Sequence, residues 1–590
     1  MKNRIIFKNI FVANLAFALM INSYSIKAEP WSNPDDLLIR HDIHLLVDSG
    51  VLNIPITTWP LSWGDIAYNL SKSESEMSLI ELASYNRIRE SLMNAQELGV
   101  FGATEIQISK NPKRITSFDN VITNSKYIAA NASYFSKNIA VNLKVDKTNG
   151  MSTMDESYIS VAKGNYSFSL GSKKNWWGPG WNGSLALSTN ARPLTGLSIE
   201  RNFSDPIESG ILNWIGPWDL SLLISEIENS RNFYGMRVGT RPLDNLEIGL
   251  VGTSIDNGKK IICNELCITS SLYNEDSSYT LLGFDFRSSH QLRDLPFAIY
   301  GQIMGESLKD SMGLFGFETW GSIEDFKNLE GYRIFTELAS TTCAFYKNNS
   351  LNNGCAYQNP FYQEGYRYEG MNIGHSIDGD SLLLSMGGIL IGENSQLFKS
   401  SLSIGQLNKG STAAYQLRGN RTDYVNFDLG YQFDLYWFDI GLGSFDIGLG
   451  IDLYKDKITG DSENEPRIYL AWVKDATINS SESRNYSDYL ELIEVSDEEI
   501  TQQPIAKDPF SIDQYLLLND LELNEIILLV DKVSLDRNNG EVFASKSSLG
   551  IESLSNSNYN LDINTMTKPS DVSEYMNLMD QTINDRENFN

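Results

Sequence analysis

Apolar and polar residues alternate strictly over long parts of the chain. In the clearest segment, Val425, Phe427 and Leu429 are interleaved with Asn426 and Asp428. Side chains along a β-strand point alternately to its two faces, so such a segment has one apolar and one polar face. Similar segments recur from about residue 105 to residue 473 and predict roughly 16 to 18 strands.

The residue types on the two faces indicate which kind of β-protein this is. Phe, Tyr, Leu and Ile occupy one face, whereas Asp, Asn, Gln, Lys, Arg and Gly occupy the other. A soluble sandwich or propeller also alternates and is the alternative on pattern alone. An apolar exterior around a polar lumen is typical of transmembrane barrels, which satisfy every backbone group in lipid. The sequence therefore predicts a mainly β protein, with a transmembrane antiparallel β-barrel over residues 101–474, in the outer membrane of a Gram-negative bacterium.

The region before the barrel contains two predicted segments. A basic start and an apolar stretch over residues 10–21 predict a signal peptide over residues 1–28. Helical periodicity follows, and residues 29–100 are predicted to form three short helices that act as a periplasmic helical bundle plug. Asn33 is predicted to cap the first helix, and Gly50 to end it.

The end of the chain differs in composition from the barrel. The formal net charge of the protein is −28, and residues 474–590 contain 23 acidic and 8 basic residues. Such a balance disfavours binding to nucleic acid. We expect residues 475–590 to form an acidic and largely disordered C-terminal extension.

The chain contains four cysteines, an even number for an exported protein. Their short spacings within loop-like segments predict two local disulfides, Cys263–Cys267 and Cys343–Cys355. A zinc site is the alternative, but these spacings and the presence of only four histidines disfavour it.

Four stretches of the chain resemble the Wzi family of outer-membrane lectins that help to assemble capsular polysaccharide. They are Asp35–Pro60, the Trp-rich stretch Asn175–Arg201 (beginning NWWGPGW), Asn213–Leu220 (NWIGPWDL) and Gly365–Ser381 (GYRYEGMNIGHSIDGDS). The resemblance implies an 18-stranded barrel closed on the periplasmic side by a helical bundle. It also implies retention of capsule or exopolysaccharide at the cell surface.

Two of these motifs supply the candidate residues for sugar contact. Aromatic rings pack against the apolar faces of sugars, and arginine suits the carboxylate of a uronic acid. A structural role, in which the tryptophans form a girdle or fix a loop, is the equally weighted alternative. The candidates are Trp176, Trp177, Trp181, Arg192 and Arg201 in the first motif, and Tyr366, Arg367, His375 and Asp378 in the second.

The leading hypothesis is a non-enzymatic lectin that binds and retains exported capsular polysaccharide or exopolysaccharide. The alternatives are a pore for polysaccharide or small solutes and an enzyme acting on glycan or lipid, in which Asp378 and Asp380 could form a carboxylate pair. A turn is the simpler interpretation of that pair. The expected partners are the polysaccharide, outer-membrane lipid and the polysaccharide export machinery. We expect a monomer with no metal or cofactor.

Overall fold

A computed structural model gives the fold of most of the chain. The predicted signal peptide, the four cysteines and almost all of the acidic extension lie outside the residues that it describes. The described residues are 30–71, 77–119, 124–148, 151–207, 210, 212–228, 231–256, 278–293, 295–307, 310–323, 328–342, 345–346, 354, 356–358, 365–410, 418–437, 440–483, 535–536 and 541–542.

Three helices precede the barrel, and the start of the first differs from the prediction. Asn33 was the expected cap, but the carboxylate of Asp36 accepts hydrogen bonds from the amides of Leu38 and Ile39, both at 3.0 Å. An acceptor immediately before the first turn satisfies amides that have no partner within the helix. None of the described helices is long and apolar enough to cross a lipid bilayer. The helices are α1 (Leu37–Asp48), α2 (Trp63–Ser71) and α3 (Leu79–Gln96).

Eighteen antiparallel strands follow and form a closed barrel, because the last strand pairs with the first. The fourth strand is interrupted, and both of its parts pair with the third. The predicted strand number is therefore confirmed. The strands are β1 (Glu97–Lys110), β2 (Lys126–Phe135), β3 (Ile139–Thr148), β4 (Met151–Thr153 and Tyr158–Lys163), β5 (Tyr166–Ser172), β6 (Thr195–Arg201), β7 (Trp218–Ile227), β8 (Arg231–Leu243), β9 (Leu246–Asp256), β10 (Ser278–Leu292), β11 (Leu295–Gly305), β12 (Met312–Ser322), β13 (Leu329–Ser340), β14 (Leu382–Gly392), β15 (Leu397–Leu407), β16 (Thr422–Trp437), β17 (Ile440–Asp456) and β18 (Ser462–Ser483).

The two faces of the barrel wall have the polarity that the alternation predicts. Leu250 and Leu282 on the outer face are 59% and 63% exposed, whereas Glu247 and Asp285 on neighbouring positions of the same strands are buried in the lumen. A soluble β-protein would bury the apolar side chains instead. The wall therefore has the inverted arrangement of a barrel that lies in lipid.

The barrel extends beyond the predicted limits of residues 101–474. It begins at Glu97, and the backbone of β18 continues to pair with β1 as far as Ser483. This end of β18 is rich in Asn and Ser, so it lacks the alternation on which the prediction depended. All of these elements belong to the first of two units of the chain, which includes residues 1–484. In the second unit, the described residues are two short paired strands, Leu535–Asp536 and Glu541–Val542.

The two ends of the barrel differ in the length of their connections. At one end, called here the short-turn end, the connections include residues 136–138, 164–165 and 244–245. At the other, the long-loop end, they include residues 173–194 and 341–381. Helix α3 runs directly into β1 at the short-turn end, so the helices enter the barrel from that side.

Candidate functional site

The described parts of the two long loops, residues 173–194 and 341–381, contact each other inside the barrel. The hydroxyl of Tyr357 donates to the carbonyl of Leu185, and that of Tyr366 donates to the carbonyl of Ala186, both at 2.8 Å. The two tyrosine rings are stacked, with centroids 5.7 Å apart. Tyr366, predicted to contact sugar, is fully buried, so in this structure its hydroxyl joins the loops.

The three tryptophans of the first motif lie in the interior. Trp176 and Trp177 form a short strand that pairs with Thr58–Trp59, and all three rings are at most 1% exposed. The indole of Trp181 donates to Glu318 at 2.9 Å. These contacts favour the structural alternative for the tryptophans, and their predicted contact with sugar stays a prediction.

Helix α1 is joined to the Trp-rich loop through Arg40. The guanidinium lies 4.2 Å from the ring centroids of both Phe118 and Trp181. It donates to the carbonyls of Pro179 at 2.8 Å and Gly180 at 3.0 Å. Burial lowers the pKa of Arg40 to about 9, so the side chain remains charged at neutral pH. Arg40 thus stabilises the contact between a helix from one end and a loop from the other.

Next to the Trp181 ring, a buried carboxylate lies between two arginines of the barrel wall. Glu318 of β12 accepts from Arg287 of β10 at 2.8 Å and from Arg333 of β13 at 2.7 Å. Arg287 also donates to Asp48 at the end of α1, with two contacts of 2.7 Å. Arg333 donates to His41 of α1 at 3.0 Å. This network holds α1 against the lumen side of three strands.

The remaining candidates of the second motif fix the fold of the long loop. Arg367 contacts Asp378, which also accepts from Asn372 at 3.1 Å. Asp380 accepts from the amide of Gly354. Both aspartates have the left-handed backbone of a turn, with φ of 59° and 53°. These contacts favour the turn alternative for the carboxylate pair.

His375 of the same motif is buried against the other loop. A Cβ atom at Gly183 would lie 2.2 Å from its Nε2 atom, so only glycine allows this approach. The Nδ1 atom of His375 accepts from the amide of Ile377 at 3.2 Å. Burial lowers the pKa of His375 to about 3, so the ring is neutral in the folded protein.

His375 should make the folded protein less stable in acid. The unfolded chain binds a proton at His375 near pH 6.5, whereas the folded protein does so only near pH 3. The neutral His375 ring therefore contributes fully to the stability of the folded protein above pH 6.5, and this contribution is lost as the pH falls towards 3. Relative to His375→Gln, the wild type should lose about 1.4 kcal/mol of unfolding free energy for each pH unit below 6.5. Urea unfolding in lipid vesicles between pH 7.5 and 5 measures this difference, and parallel curves would contradict it.

The two arginines of the first motif occupy different places. Arg201 lies at the end of β6, over the ring of Trp218, and donates to the carbonyls of Trp218 and Asp205 at 2.7 and 3.0 Å. Arg192 lies at the long-loop end with its side chain one-third exposed. It makes two contacts of 2.8 Å with Asp155 and also contacts Glu369. Of the nine candidates, Arg192 is therefore the best placed to meet a ligand.

Arg192 lines a pocket of 390 Å³, called here the Arg192 pocket, which the two long loops form. Polar groups of Asn175, Ser188 and Thr189 share its wall with the apolar side chains of Leu194 and Ile373. Such a mixture of apolar surface and a few polar groups is typical of small-molecule sites.

Each cation at the Arg192 pocket already has acidic partners. Lys174 contacts Asp35 at 2.7 Å and Glu156 at 3.3 Å, and Lys173 contacts Glu200 at 2.7 Å. Together with the two acids at Arg192, these partners leave the three cations of the pocket with no excess positive charge. The geometry therefore suits sugar hydroxyls better than the uronic acid carboxylate for which Arg192 was first considered.

The sequence did not indicate the buried side chains that connect separate elements of the fold. Arg40, Glu318 and Lys173 were not among the candidates, although each is buried. For Glu318, the available signal was an acidic residue on the polar face of a predicted strand. Its pairing with arginines from two other strands depends on the register between β10 and β13, which alternation alone does not reveal. Among the described residues, no group of three or more His, Cys, Asp or Glu side chains is placed to hold a metal ion.

Comparison with known proteins gives two informative similarities. The chain is 25% identical over 432 residues to an uncharacterized 55.8 kDa protein in the cps region of Klebsiella pneumoniae, covering 68% of this chain and 82% of that protein. Its fold is similar to that of Escherichia coli Wzi, described as a carbohydrate-binding β-barrel of the outer membrane involved in group 1 capsule assembly. That match has a TM-score of 0.64 and 22% identity, and it covers 75% of this chain and 98% of Wzi.

The match to a family model agrees with the resemblance that the four sequence motifs predicted. The model of the capsule assembly protein Wzi matches residues 106–438, which is more than half of the chain. The predicted location in the outer membrane is confirmed by this match together with the inverted barrel. The chain belongs to the Wzi family of capsule assembly proteins.

Proposed function

We propose that this protein binds exported capsular polysaccharide or exopolysaccharide and retains it at the cell surface without catalysing a reaction. Short turns of outer-membrane barrels face the periplasm, so the Arg192 pocket at the long-loop end would face outwards. The observation that carries the proposal is this pocket, formed by two loops that are held rigidly inside the barrel. Binding residues often lie on loops that a rigid scaffold positions.

The filled lumen supports a scaffold rather than an open pore. The long loops enter from one end and α1 from the other, and they meet around Arg40. The rings of Phe118, Trp176 and Trp59 form a buried row beside it, with centroids 5.1 and 5.3 Å apart. We propose that the three helices act as the plug that the sequence predicted.

The paired cations of the pocket define how the polymer would be recognised. Sugar hydroxyls both donate and accept, so they can bind the amide of Asn175 and the hydroxyl of Thr189, while the partly exposed Pro193 offers apolar surface to the sugar ring. Each neutral hydrogen bond contributes about 0.5–1.5 kcal/mol. A repeating polymer compensates for such weak contacts, because several molecules in one outer membrane can hold the same chain.

Blocking the pocket tests this proposal. Thr189→Trp fills the pocket, and we expect it to raise the Kd for fragments of the cell's own polysaccharide about tenfold, since steric exclusion removes several hydrogen bonds. The control is Thr195→Trp, which places the same ring at an exposed position on the outer face of β6. Binding to detergent-purified protein can be measured by titration calorimetry. Equal affinities of the two variants would exclude the Arg192 pocket as the site.

A further inference from the structure

A second pocket opens at the opposite end of the barrel and is not used by the proposed function. Lys173, which reaches down the lumen, is the one residue that lines both pockets. Residues from the chain before α1, from the β2–β3 turn and from the segment after β6 meet around this second pocket. Trp31, just before α1, forms part of its wall, and it is called here the Trp31 pocket. Lys137 and Asn138 of the β2–β3 turn and Asn202 after β6 also line it. Both residues of that turn are exposed, so the pocket opens at the short-turn end.

The wall of the Trp31 pocket carries groups that suit a sugar. Ser160 and Ser167 project from β4 and β5 into the lumen, and their hydroxyls are 2.9 Å apart. Asn138 and Asn202 contribute amides that can both donate and accept. Trp31 adds aromatic surface, whereas Phe203 of the same wall is 1% exposed. Hydroxyls and amides beside an aromatic wall match the alternating polar and apolar surface of a pyranose ring.

One carboxylate at the pocket has an unused acceptor. Oε1 of Glu200 accepts from Lys173 at 2.7 Å, whereas Oε2 is buried and has no hydrogen-bond partner among the described residues. Buried polar atoms usually have a partner, so an atom without one indicates where a bound donor would be favourable. A sugar hydroxyl is such a donor.

Three cations and one carboxylate line the pocket. Lys137 is exposed at its mouth, whereas Lys173 and Arg201 are held within the fold beside Glu200, so the inner part of the pocket favours a neutral ligand. The ammonium of Lys173 is held by Glu200 and by Ser169, and it lies 4.2 Å from the centroid of the Trp31 ring. The guanidinium of Arg201 is occupied by two backbone carbonyls. An anion would have to lie near the Glu200 carboxylate without gaining either of these cations.

We propose that the Trp31 pocket is a separate glycan site on the periplasmic side, which binds one or two uncharged or N-acetylated pyranose units. Peptidoglycan strands offer N-acetylated pyranose units on that side, and neutral units of an exported polysaccharide would offer the same chemistry. Binding to either would connect the barrel to a periplasmic glycan, independently of the Arg192 pocket.

The test uses the full-length protein in detergent and two probes. N,N′-diacetylchitobiose represents the sugar units of peptidoglycan, and short neutral fragments of the cell's own polysaccharide represent the polymer in transit. Asn138→Trp fills the pocket from the turn while keeping the backbone carbonyl that accepts from Ala162. The matched control is Asn245→Trp, an exposed asparagine in another turn at the same end. Asn202→Ala is a smaller change for the case in which Asn138→Trp does not fold.

We expect saturation-transfer NMR to show binding of at least one probe to the wild type and to Asn245→Trp. Asn138→Trp should raise the Kd about tenfold, and Asn202→Ala about threefold. Binding of chitobiose alone assigns the site to peptidoglycan, and binding of the fragments alone assigns it to the exported polymer. Thr189→Trp must leave this binding unchanged, which separates the inference from the proposed surface site. Absence of binding to the wild type, equal binding by the two turn variants, or loss of binding in Thr189→Trp would overturn the proposal.

Discussion

Replacing Arg40 with alanine should make the barrel conduct ions, whereas the wild type should show little current. The change removes two hydrogen bonds from a charged donor to the carbonyls of Pro179 and Gly180 and leaves a gap between two aromatic rings. Hydrogen bonds to charged groups contribute about 1.5–3 kcal/mol each. The contact between α1 and the Trp-rich loop should weaken by several kcal/mol, on the order of 3–5. Water and ions can then pass between them.

Single-channel recording in planar bilayers measures this effect. Arg421→Ala is the control, because Arg421 is an exposed arginine at the long-loop end. Arg40→Met keeps much of the side-chain volume but removes the donors, so it separates loss of hydrogen bonds from loss of packing. A wild-type barrel with a large steady current, or an Arg40→Ala variant as closed as the control, would contradict the filled lumen.

Glu318→Ala should cause a large loss of stability of the folded barrel. It leaves Arg287 without one of its two acidic partners, and it removes the carboxylate that pairs with Arg333 and accepts from the Trp181 indole. Removing one member of a buried ion pair typically costs about 3–5 kcal/mol, because the remaining charge is buried without compensation. The folded barrel should therefore lose its resistance to SDS at a clearly lower temperature.

Migration in SDS gels after stepwise heating provides the measurement, because folded barrels migrate differently from unfolded ones. Glu226→Ala is the control, since Glu226 is an exposed glutamate on β7. If Glu318→Ala and Glu226→Ala unfold at the same temperature as the wild type, the network around Glu318 does not stabilise the lumen.

The barrel was predictable because lipid imposes a simple rule on each strand. Asn426 is 2% exposed and Phe427 is 41% exposed, as expected for neighbouring residues on a lumen face and a lipid face. This rule acts locally, so alternation within one segment reveals it. Where the rule weakens, as at the Asn- and Ser-rich end of β18, the strand continues past residue 474 without an alternating pattern that would reveal it.

The functional surface was less predictable because burial depends on the whole fold. The Trp-rich motif resembles an exposed aromatic platform in sequence, yet its loop turns inward and packs on α1, which comes from more than 130 residues earlier. Arg192 in the same motif remains near the surface, where acids from two other segments hold it. Neither outcome follows from residue types or spacing, because both depend on the direction of a loop after it leaves its strand.

We propose that the protein retains polysaccharide at the cell surface rather than making or exporting it. Deleting the gene and measuring polysaccharide in the cell-bound and released fractions tests this most directly. The account predicts an unchanged total with most polymer in the medium, and restored attachment with the wild-type gene but not with Thr189→Trp. A fall in total polymer with the same division between fractions, or no change at all, would contradict it.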